Sequence, residues 1–259
     1  MNFKQLHAGP DLLILPNAWD AISARVIANA GAKAIATSSA AVAWSHGYAD
    51  GNALPVPLLL ATLRNITRSV QVPVTADIEG GYSDDPRVVG ENVLAVAGCG
   101  VAGINIEDGG GSPDLLCAKI EAARKAGDAL FINARTDFFL KKLLEGDAAI
   151  AESIARARRY AAAGADGIFV PGVIDAAAIA VLAREIELPL NVMARPGLPS
   201  AAELQRLGVR RLSAAAWPAR AAMKTLSDAA TAFLANGDSD ALAAASGAPA
   251  DYNAMFSGG

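Results

Sequence analysis

A short pattern of apolar and polar positions recurs along the chain: an alanine-rich helical segment, a glycine, and then a brief apolar run. It is clear at Ala163-Gly164-Ala165-Asp166 and again at Leu207-Gly208-Val209. Glycine just past a helix adopts the left-handed backbone of a C-terminal cap without strain. The apolar runs that follow are short and almost free of polar residues, which is typical of parallel strands covered on both faces.

Eight such runs predict eight strands, at Leu12–Leu15, Ala34–Thr37, Val72–Ala76, Gly103–Ile106, Leu130–Ala134, Gly167–Val170, Leu190–Met193 and Arg211–Ala214. Helical patterns lie between them, for example Ala21–Ala30, Pro57–Val70, Pro86–Ala97, Ala148–Ala163 and Ala176–Glu185. Eight strand-then-helix units with no break in composition predict one closed (β/α)₈ TIM-type barrel. A doubly wound open sheet is the alternative, but neither GxGxxG nor GxxxxGK[ST] occurs in the sequence.

Length and composition agree with one barrel domain. The chain has 259 residues, and a (β/α)₈ barrel needs about 250. We expect residues 1–236 to form the catalytic barrel and residues 237–259 to form a C-terminal tail that is a swapped helix or a subunit contact. The net charge of −4 is mild and the basic residues are scattered, which argues against nucleic acid or an anionic membrane as a partner.

The same composition bounds the compartment and the kind of metal site. No long uncharged apolar stretch predicts a membrane span, and no basic N-terminal region followed by an apolar run predicts a signal peptide. We therefore expect a cytoplasmic protein. Two cysteines do not make a disulfide framework, and two histidines argue against a histidine-rich zinc site.

Acidic residues are concentrated after two neighbouring predicted strands. Asp77 and Glu79 follow the third strand and Glu107 follows the fourth, at the barrel end where (β/α)₈ enzymes carry their sites. Two residues apart on an extended chain, Asp77 and Glu79 would point the same way. Three close carboxylates repel unless a proton or a cation intervenes, and all-oxygen ligands favour Mg²⁺ or Mn²⁺. The alternative is that each acid binds an arginine or caps a helix.

Other polar residues at the predicted strand ends each allow a functional and a structural interpretation. Arg135, after the fifth strand, is suited to hold a carboxylate or phosphate, or else forms a structural ion pair. Ser38 and Ser39 either contact a substrate carboxylate or cap the next helix. No lysine falls at a predicted strand end, which argues against a Schiff-base aldolase.

At these strand ends the chain resembles the isocitrate lyase / phosphoenolpyruvate mutase (phosphonomutase) superfamily over roughly residues 15–223. The resemblance rests on the ordered set of segments 16–24 (PNAWDAISA), 37–39 (TSS), 77–82 (DIEGGY), 103–108 (GINIED) and 133–137 (NARTD). It implies an α/β barrel whose last helix is exchanged between subunits, in a homodimer or homotetramer.

The resemblance also implies functional residues. Mg²⁺ would lie near Asp77, supported directly or through water by Glu79, Glu107 and Asp50. The substrate-binding residues would be Ser38, Ser39, Ala40, Asp77, Arg135 and Asn191, and the catalytic side chains Asp50, Glu107 and Arg135. Members make or break C–C or P–C bonds next to a 2-oxo acid and stabilise an enolate on the metal.

The sequence departs from the superfamily pattern at several points. Lyases carry a Cys-Gly-His gating loop soon after the fourth-strand acids, but residues 109–117 read GGGSPDLLC. The asparagine-bearing loop of the phosphonate mutases is also missing. The sixth strand ends Val170-Pro171-Gly172 where lyases present a glutamate, and Glu79 replaces the more usual aspartate. A short glycine-rich loop suits a smaller substrate or a simpler step, such as decarboxylation or hydrolytic cleavage.

Three functions therefore remain open on the sequence. The first is an Mg²⁺-dependent C–C lyase acting on a small 2-oxo or 2-hydroxy carboxylic acid. The second is a P–C bond mutase or a phosphonopyruvate-type hydrolase, which an additional arginine or lysine in the anion pocket would favour. The third is a non-catalytic protein that binds 2-oxo acids.

Overall fold

A closed parallel β-barrel surrounded by helices forms the centre of the molecule. The structure, a computed structural model, describes residues 3–247 and 251–257, with Ala245 described by its backbone alone. Its strands are β1 (Leu13–Leu15), β2 (Asn17–Ala18), β3 (Ile35–Thr37), β4 (Val74–Asp77), β5 (Gly103–Glu107), β6 (Phe131–Arg135), β7 (Gly167–Phe169), β8 (Leu190–Met193) and β9 (Arg211–Ser213). Each pairs in parallel with its sequence neighbour from β2 to β9, and β1 pairs with β9. The predicted (β/α)₈ barrel is confirmed.

The first barrel strand is split in two by Pro16. β1 pairs with β9 on one side, whereas β2 pairs with β3 on the other. Proline has no N–H to donate to a neighbouring strand, so a regular ladder is interrupted there. Its carbonyl oxygen still accepts a hydrogen bond from the N–H of Ala36 at 3.0 Å. The two short segments therefore occupy one of the eight barrel positions.

The helices follow the predicted alternation with the strands. They are α1 (Ala21–Asn29), α2 (Ser39–Ser45), α3 (Val56–Ser69), α4 (Pro86–Ala97), α5 (Pro113–Ala126), α6 (Phe138–Lys141), α7 (Gly146–Ala162), α8 (Ala176–Glu185), α9 (Ala201–Arg206), α10 (Trp217–Asn236) and α11 (Ser239–Ser246). Side-chain caps define several starts; Asp20, for example, accepts the N–H of Ser23 at 2.8 Å. None of the described helices has both the length and the apolar character needed to cross a membrane.

Side chains alternate along each strand, and this places charged groups at one end of the barrel interior. On β5 and β6, Glu107 and Arg135 are neighbours in register, as are Asn105 and Asn133 two residues earlier. Alternate residues of a strand share a face, and the contacts described below show that these four lie inside the barrel. The carboxyl ends of the strands therefore carry the charged groups, above a layer of amides.

Aromatic side chains close the opposite end of the barrel. A 3-10 helix over Phe3–His7 lies across it, and the His7 ring stacks on Phe131 at 4.1 Å between centroids. A side chain at Gly103 would place its Cβ 2.6 Å from the Phe131 carbonyl oxygen, so the close packing at this end requires glycine. Among the described residues, the aromatic side chains close this end of the barrel, and the cavity described below lies at the other end, where the strands have their carboxyl ends.

The helix α10 covers little of its own barrel. Ala219 is its one buried residue, whereas Leu226 and Leu234 are 60% and 83% exposed. On the outer face of β1, Ile14 is 55% exposed, and Val26 on α1 is 44% exposed. Strands of a parallel barrel are normally covered on both faces, so the barrel presents an apolar groove beside β1 that α10 leaves open.

Candidate active site

A cavity of about 440 Å³ lies at the carboxyl ends of the strands. Six of the residues predicted as site residues line it: Ser38, Ser39, Ala40, Asp50, Asp77 and Arg135. The other lining residues are Asn17, Asn105, Leu140, Phe169, Met193, Ser213, Ala215, Ala216, Trp217 and Arg220. The cavity therefore occupies the place where (β/α)₈ enzymes carry their sites.

Asp77 ends β4 and is the most deeply placed acid of this cavity. Its backbone N–H donates to Thr37 Oγ1 at 2.9 Å, and its Oδ1 accepts the N–H of Glu79 at 3.2 Å. Its Oδ2 has no hydrogen-bond donor among the described residues. Burial raises the pKa of Asp77, the charge of Arg135 opposes that shift, and the nearby Asp50 adds to it. One carboxylate oxygen is thus free to meet a ligand.

Glu79 does not continue the extended strand. β4 ends at Asp77, and Glu79 has a left-handed backbone with φ of 52°, so the chain is not extended across the two acids, contrary to the expectation from sequence. Its carboxylate accepts hydrogen bonds from the N–H of Asn52 and from the hydroxyl of Tyr82. Burial raises its pKa. Glu79 therefore lies behind Asp77 and connects it to the loop that carries Asp50.

Arg135 is engaged by two acids. Its Nη1 lies 2.7 Å from Glu107 Oε2, and its Nε donates to Asp137 Oδ1 at 2.6 Å. Burial opposes the charge of Arg135, but the two carboxylates together raise its pKa above the ordinary value. Burial raises the pKa of Glu107, and Arg135 counters the shift. The structural ion pair weighed for Arg135 is therefore present, while its side chain also faces the cavity.

Glu107 lies on the far side of this ion pair. It lines a second cavity of about 370 Å³, together with Asn52, Asp84 and Lys119. The Nζ of Lys119 donates to the carbonyl of Gly80 at 2.9 Å and to Asp84 at 3.1 Å, which holds the loop after β4 in place. Glu107 and Arg135 thus separate the two cavities.

The start of α2 forms one wall of the main cavity. Ser38 is the N-cap of α2, and its Oγ accepts the N–H of Ala41 at 3.4 Å. Ser38 and Ser39 are both buried, and Ala40 lines the cavity beside them. Both alternatives for Ser38 are compatible with this geometry, because the residue caps a helix and faces the cavity at once.

A ladder of amides lies beneath the cavity floor. Asn133 Nδ2 donates to Asn105 Oδ1 at 2.9 Å and to Asn191 Oδ1 at 3.0 Å. Arg211, fully buried in the barrel, donates to the same Asn105 oxygen at 3.1 Å, and burial lowers its pKa to about 9. Asn105 reaches the cavity, but Asn191 is completely buried and donates to the carbonyl of Val192. The structure does not bring Asn191 to the cavity wall, and its substrate contact stays a prediction.

Two features of the site are not singled out by the sequence pattern. Asp108 is buried outside the barrel and accepts hydrogen bonds from Arg156 and Tyr160 on α7. Asp108 directly follows Glu107, the last residue of β5, so the alternation of side chains predicts the opposite orientation for it. That alternation is the signal that could have identified Asp108. At the cavity mouth, Arg220 comes from α10, 85 residues after Arg135 in the chain. Only the closure of the barrel brings that helix to the site.

The residues present suit a magnesium ion that keeps several water ligands better than a metal ion whose ligands all come from the protein. No group of three His, Cys, Asp or Glu side chains in the described ranges is arranged as a ready metal-binding cluster. Mg²⁺ usually keeps several waters and binds one or two carboxylates. Asp77 offers a free oxygen to the cavity, and Asp50 lines it nearby. The donors are all oxygen atoms, which zinc sites rarely are.

Known proteins show the same sequence features and fold. The family model for phosphoenolpyruvate phosphomutase matches residues 3–234. An oxaloacetate decarboxylase of Pseudomonas aeruginosa is 33% identical over 209 residues, which cover 74% of this chain and 70% of that protein. The crystal structure of a candidate phosphonomutase from Burkholderia cenocepacia J2315 is 43% identical, with a TM-score of 0.85 over 88% of this chain and 97% of that one. Phosphonopyruvate hydrolase in complex with oxalate and Mg²⁺ shares the fold, with a TM-score of 0.85 at 22% identity over 98% of this chain and 94% of that one. The chain therefore belongs to the phosphoenolpyruvate phosphomutase family and is an enzyme of the PEP mutase/isocitrate lyase superfamily of lyases and mutases.

Proposed function

We propose that this protein is an Mg²⁺-dependent carbon–carbon lyase acting on a small 2-oxo acid that carries a second acidic group, with oxaloacetate as the first candidate. The observation that carries the proposal is the free oxygen of Asp77, which faces the same cavity as the start of α2 and Arg135. The 33% identical oxaloacetate decarboxylase supports the choice of substrate.

The four acids would contact the ion in two ways, directly or through water. Asp77 would hold Mg²⁺ directly, while Glu79, Glu107 and Asp50 would act through water, because Glu79 and Glu107 already have hydrogen-bond or ion-pair partners. The bound ion supplies positive charge against the negative charge that develops on the 2-oxo oxygen of the substrate.

The remaining residues bind and orient the substrate. Glu107 and Asp137 both form ion pairs with Arg135 and keep its side chain in one position. The guanidinium group therefore faces the cavity and does not have to move when a substrate binds. Ser38 and Ala40 form the facing wall, where hydroxyl and backbone N–H groups suit the 1-carboxylate. Preorganised groups of this kind act most strongly in a cavity that excludes water.

The size of the site argues for a small substrate and a simple step. The loop after β5 is short, with left-handed glycines at Gly109 and Gly110, and the sequence has no Cys-Gly-His segment to act as a gate. Decarboxylation or hydrolytic cleavage of a four-carbon acid needs fewer groups than cleavage of isocitrate or methylisocitrate.

A P–C bond mutase or hydrolase is the second candidate. Arg220 places a second arginine in the cavity, in addition to Arg135. A phosphonate carries more charge than a carboxylate and is well matched by two guanidinium groups.

Turnover assays separate these functions. Purified protein with Mg²⁺ is given oxaloacetate, phosphonopyruvate or methylisocitrate, and the formation of pyruvate, phosphate or phosphoenolpyruvate is followed. The blank is Mg²⁺ without protein, because oxaloacetate decarboxylates slowly unaided. We expect pyruvate from oxaloacetate, loss of the rate with a chelator, and its return when Mg²⁺ is added back. Conversion of phosphonopyruvate as the dominant reaction would support the second candidate, with phosphoenolpyruvate as the product of a mutase and phosphate plus pyruvate as the products of a hydrolase.

Substitution at Asp77 tests the site itself. Asp77→Asn keeps the shape of the side chain but removes its charge, so turnover and Mg²⁺-linked oxalate binding should both be lost. Asp11→Asn, at an exposed position before β1, is the matched control and should change neither. Unchanged Mg²⁺-linked oxalate binding in Asp77→Asn would refute the site. Tight binding of 2-oxo acids without any product would support a non-catalytic binding protein.

We also propose that the protein is a homo-oligomer in which α10 and α11 pack on a second copy. The exposed apolar residues of α10 lie on the same molecule as the open groove beside β1, where Ile14 is 55% exposed. Two complementary apolar surfaces on one chain are typical of an exchanged element. A dimer or tetramer formed in this way would cover both.

Light scattering coupled to size-exclusion chromatography tests the assembly. Leu226→Glu, on α10, should lower the oligomeric mass, because a charge would be buried in the contact. Leu94→Glu is the matched control, since Leu94 is 61% exposed on α4. A monomeric wild-type protein, or equal effects of both substitutions, would contradict the proposal.

A further inference from the structure

The mouth of the active-site cavity carries an arginine that has no acidic partner in the part of the chain that the structure describes. Arg220, in the first turns of α10, lines the cavity on the side formed by the loop after β9. No carboxylate among the described residues forms an ion pair or hydrogen bond with its guanidinium. Arg135, the other cation that lines this cavity, is bound by Glu107 and Asp137. The free positive charge of the cavity is therefore at its outer end.

Two contacts hold Arg220 at this place. Its guanidinium lies over the ring of Trp44, with 5.3 Å between the guanidinium carbon and the ring centroid. Trp217, which begins α10, donates its indole N–H to the carbonyl of Ala194 at 2.8 Å and so anchors the helix start. An aromatic face holds a cation without neutralising it. The charge of Arg220 therefore stays available to a ligand.

The backbone before α10 is strained in a way that serves this placement. Ala215 has a left-handed backbone with φ of 53°, which costs a residue with a Cβ about 1 kcal/mol. The next residue is the N-cap of α10, so the unusual turn sets the direction in which the helix leaves the barrel. Such outliers cluster where a precise position is needed for function.

The charges along the cavity are therefore unequal. The buried Asp77, with the charge of the exposed Asp50 nearby, suits a cation together with the 2-oxo acid head of a substrate. The exposed Arg220, which has no acidic partner among the described residues, lines the same cavity. A cavity of about 440 Å³ accommodates a four-carbon acid that reaches from one end to the other.

We propose that Arg220 determines substrate specificity by binding the distal anionic group, a carboxylate or a phosphonate, of the acid whose 2-oxo end lies at Asp77. This inference rests on the proposed function and names a residue for its substrate class. Trp44 acts as a positioning residue, because it touches Arg220 and not the ligand.

A matched pair of stable ligands tests the binding. L-malate and 2-hydroxybutyrate have the same chain length and hydroxyl group, and they differ only in a distal carboxylate or methyl group. Calorimetric titrations with Mg²⁺ should show that wild-type protein prefers malate. Arg220→Gln should weaken malate binding about tenfold, the loss of one charge-assisted hydrogen bond at a half-open site, and change 2-hydroxybutyrate binding less than about twofold.

Further variants separate recognition from a structural role. Arg220→Lys keeps the charge and should recover part of the preference for malate, and Trp44→Leu should reduce malate binding about two- to threefold without affecting 2-hydroxybutyrate. Arg68→Gln, at an exposed arginine on α3, is the matched control. Equal weakening of both ligands in Arg220→Gln, or no preference for malate in the wild type, would overturn the proposal.

Steady-state kinetics distinguish this inference from the proposed function. Decarboxylation removes the charge of the distal carboxylate as CO₂ leaves, so a group that binds that carboxylate stabilises the ground state more than the transition state. Arg220→Gln should therefore raise KM for oxaloacetate and leave kcat unchanged or higher. An unchanged KM in an active enzyme overturns the role of Arg220 alone. Selective malate binding without turnover of any substrate overturns the lyase and leaves Arg220 as the distal binding group.

Discussion

The carboxylate of Asp108 connects two active-site loops to helix α7, and Asp108→Asn is the substitution that tests this connection. Its Oδ2 accepts the hydroxyl of Tyr160 at 2.7 Å and Arg156 Nη1 at 2.9 Å. Its Oδ1 accepts the N–H of Gly110 at 2.7 Å and of Asp137 at 3.2 Å. Asparagine has the same shape but only one acceptor oxygen, so one pair of donors must face an amide NH₂ group.

The expected loss in the free energy of unfolding of Asp108→Asn follows from the burial of this ion pair. The side chain of Asp108 is fully buried and that of Arg156 is 7% exposed, and removing one partner of a buried ion pair costs about 3–5 kcal/mol. Arg156 keeps its contact with Glu152 at 2.7 Å, so we expect the lower end, about 3 kcal/mol. For a chain of this size that corresponds to a fall in Tm of about 6–12 °C. The loss would be a large part of a total stability of about 5–15 kcal/mol.

Activity should fall as well. The backbone N–H of Asp137 donates to Asp108, and the carboxylate of Asp137 accepts a hydrogen bond from Arg135 at 2.6 Å, so a shift of Asp137 would also move Arg135. We expect kcat/KM to drop about ten- to hundred-fold, in line with the sensitivity of catalysis to small displacements. The measurements are urea unfolding and steady-state kinetics on the folded variant.

An exposed ion pair provides the control. Asp114, with a side chain 83% exposed, pairs with Arg159, and Asp114→Asn should change stability by less than about 0.5 kcal/mol. A double-mutant cycle with Tyr160→Phe should show coupling of at least about 1 kcal/mol. A loss below about 1 kcal/mol in Asp108→Asn, or additive effects in the cycle, would refute the reasoning.

Three further outcomes are expected from single residues. Burial lowers the pKa of His7 from 6.5 to about 4; the unfolded chain binds that proton more readily, so stability present above pH 6.5 is lost as the pH falls toward 4, by about 3 kcal/mol. Urea unfolding across that range should therefore show a smaller acid-induced loss in His7→Gln, and an equal loss would contradict the assignment. Gly172→Ala, where φ is 95° and a Cβ would lie 2.6 Å from the Leu140 backbone nitrogen, should lower Tm more than Gly31→Ala, where φ is 94° but the space is open; equal effects would mean that strain alone matters. Lys119→Met should cost about 1–3 kcal/mol and speed hydrogen exchange in the loop after β4, because a carbonyl loses its donor; unchanged exchange would show that the loop holds itself.

The barrel itself could be predicted from sequence because its signals are local. The signals are a glycine after each helix and an apolar run after each glycine, and both depend on the conformational preferences of one residue and its neighbours in sequence. They predict β3 through β9 and helices such as α4 and α8 at or near their observed bounds. The split at Pro16 has a local cause too, since proline cannot donate to a strand.

The site was predictable only in part. Asp77 and Arg135 lie at strand ends, so topology alone directs them to the cavity. Glu79 lies beyond the end of β4, and its own left-handed backbone interrupts the alternation that the sequence pattern assumes. Asn191 is the second residue of β8 and not its last, and a buried amide ladder holds it below the floor of the cavity.

By itself, the sequence determined the strands, the helices and the acids that follow particular strands, because each depends on residues close together in the chain. Tertiary structure decided which of those acids remain free. Arg135 pairs with Glu107 and Asp137, and Glu79 accepts a hydrogen bond from Asn52. One carboxylate oxygen of Asp77 has no hydrogen-bond donor among the described residues. Tertiary structure also brought Arg220 to the cavity mouth, since closing the barrel joins the last strand to the first. Pairing and charge balance depend on distances between remote segments, and those distances exist only once the chain has folded.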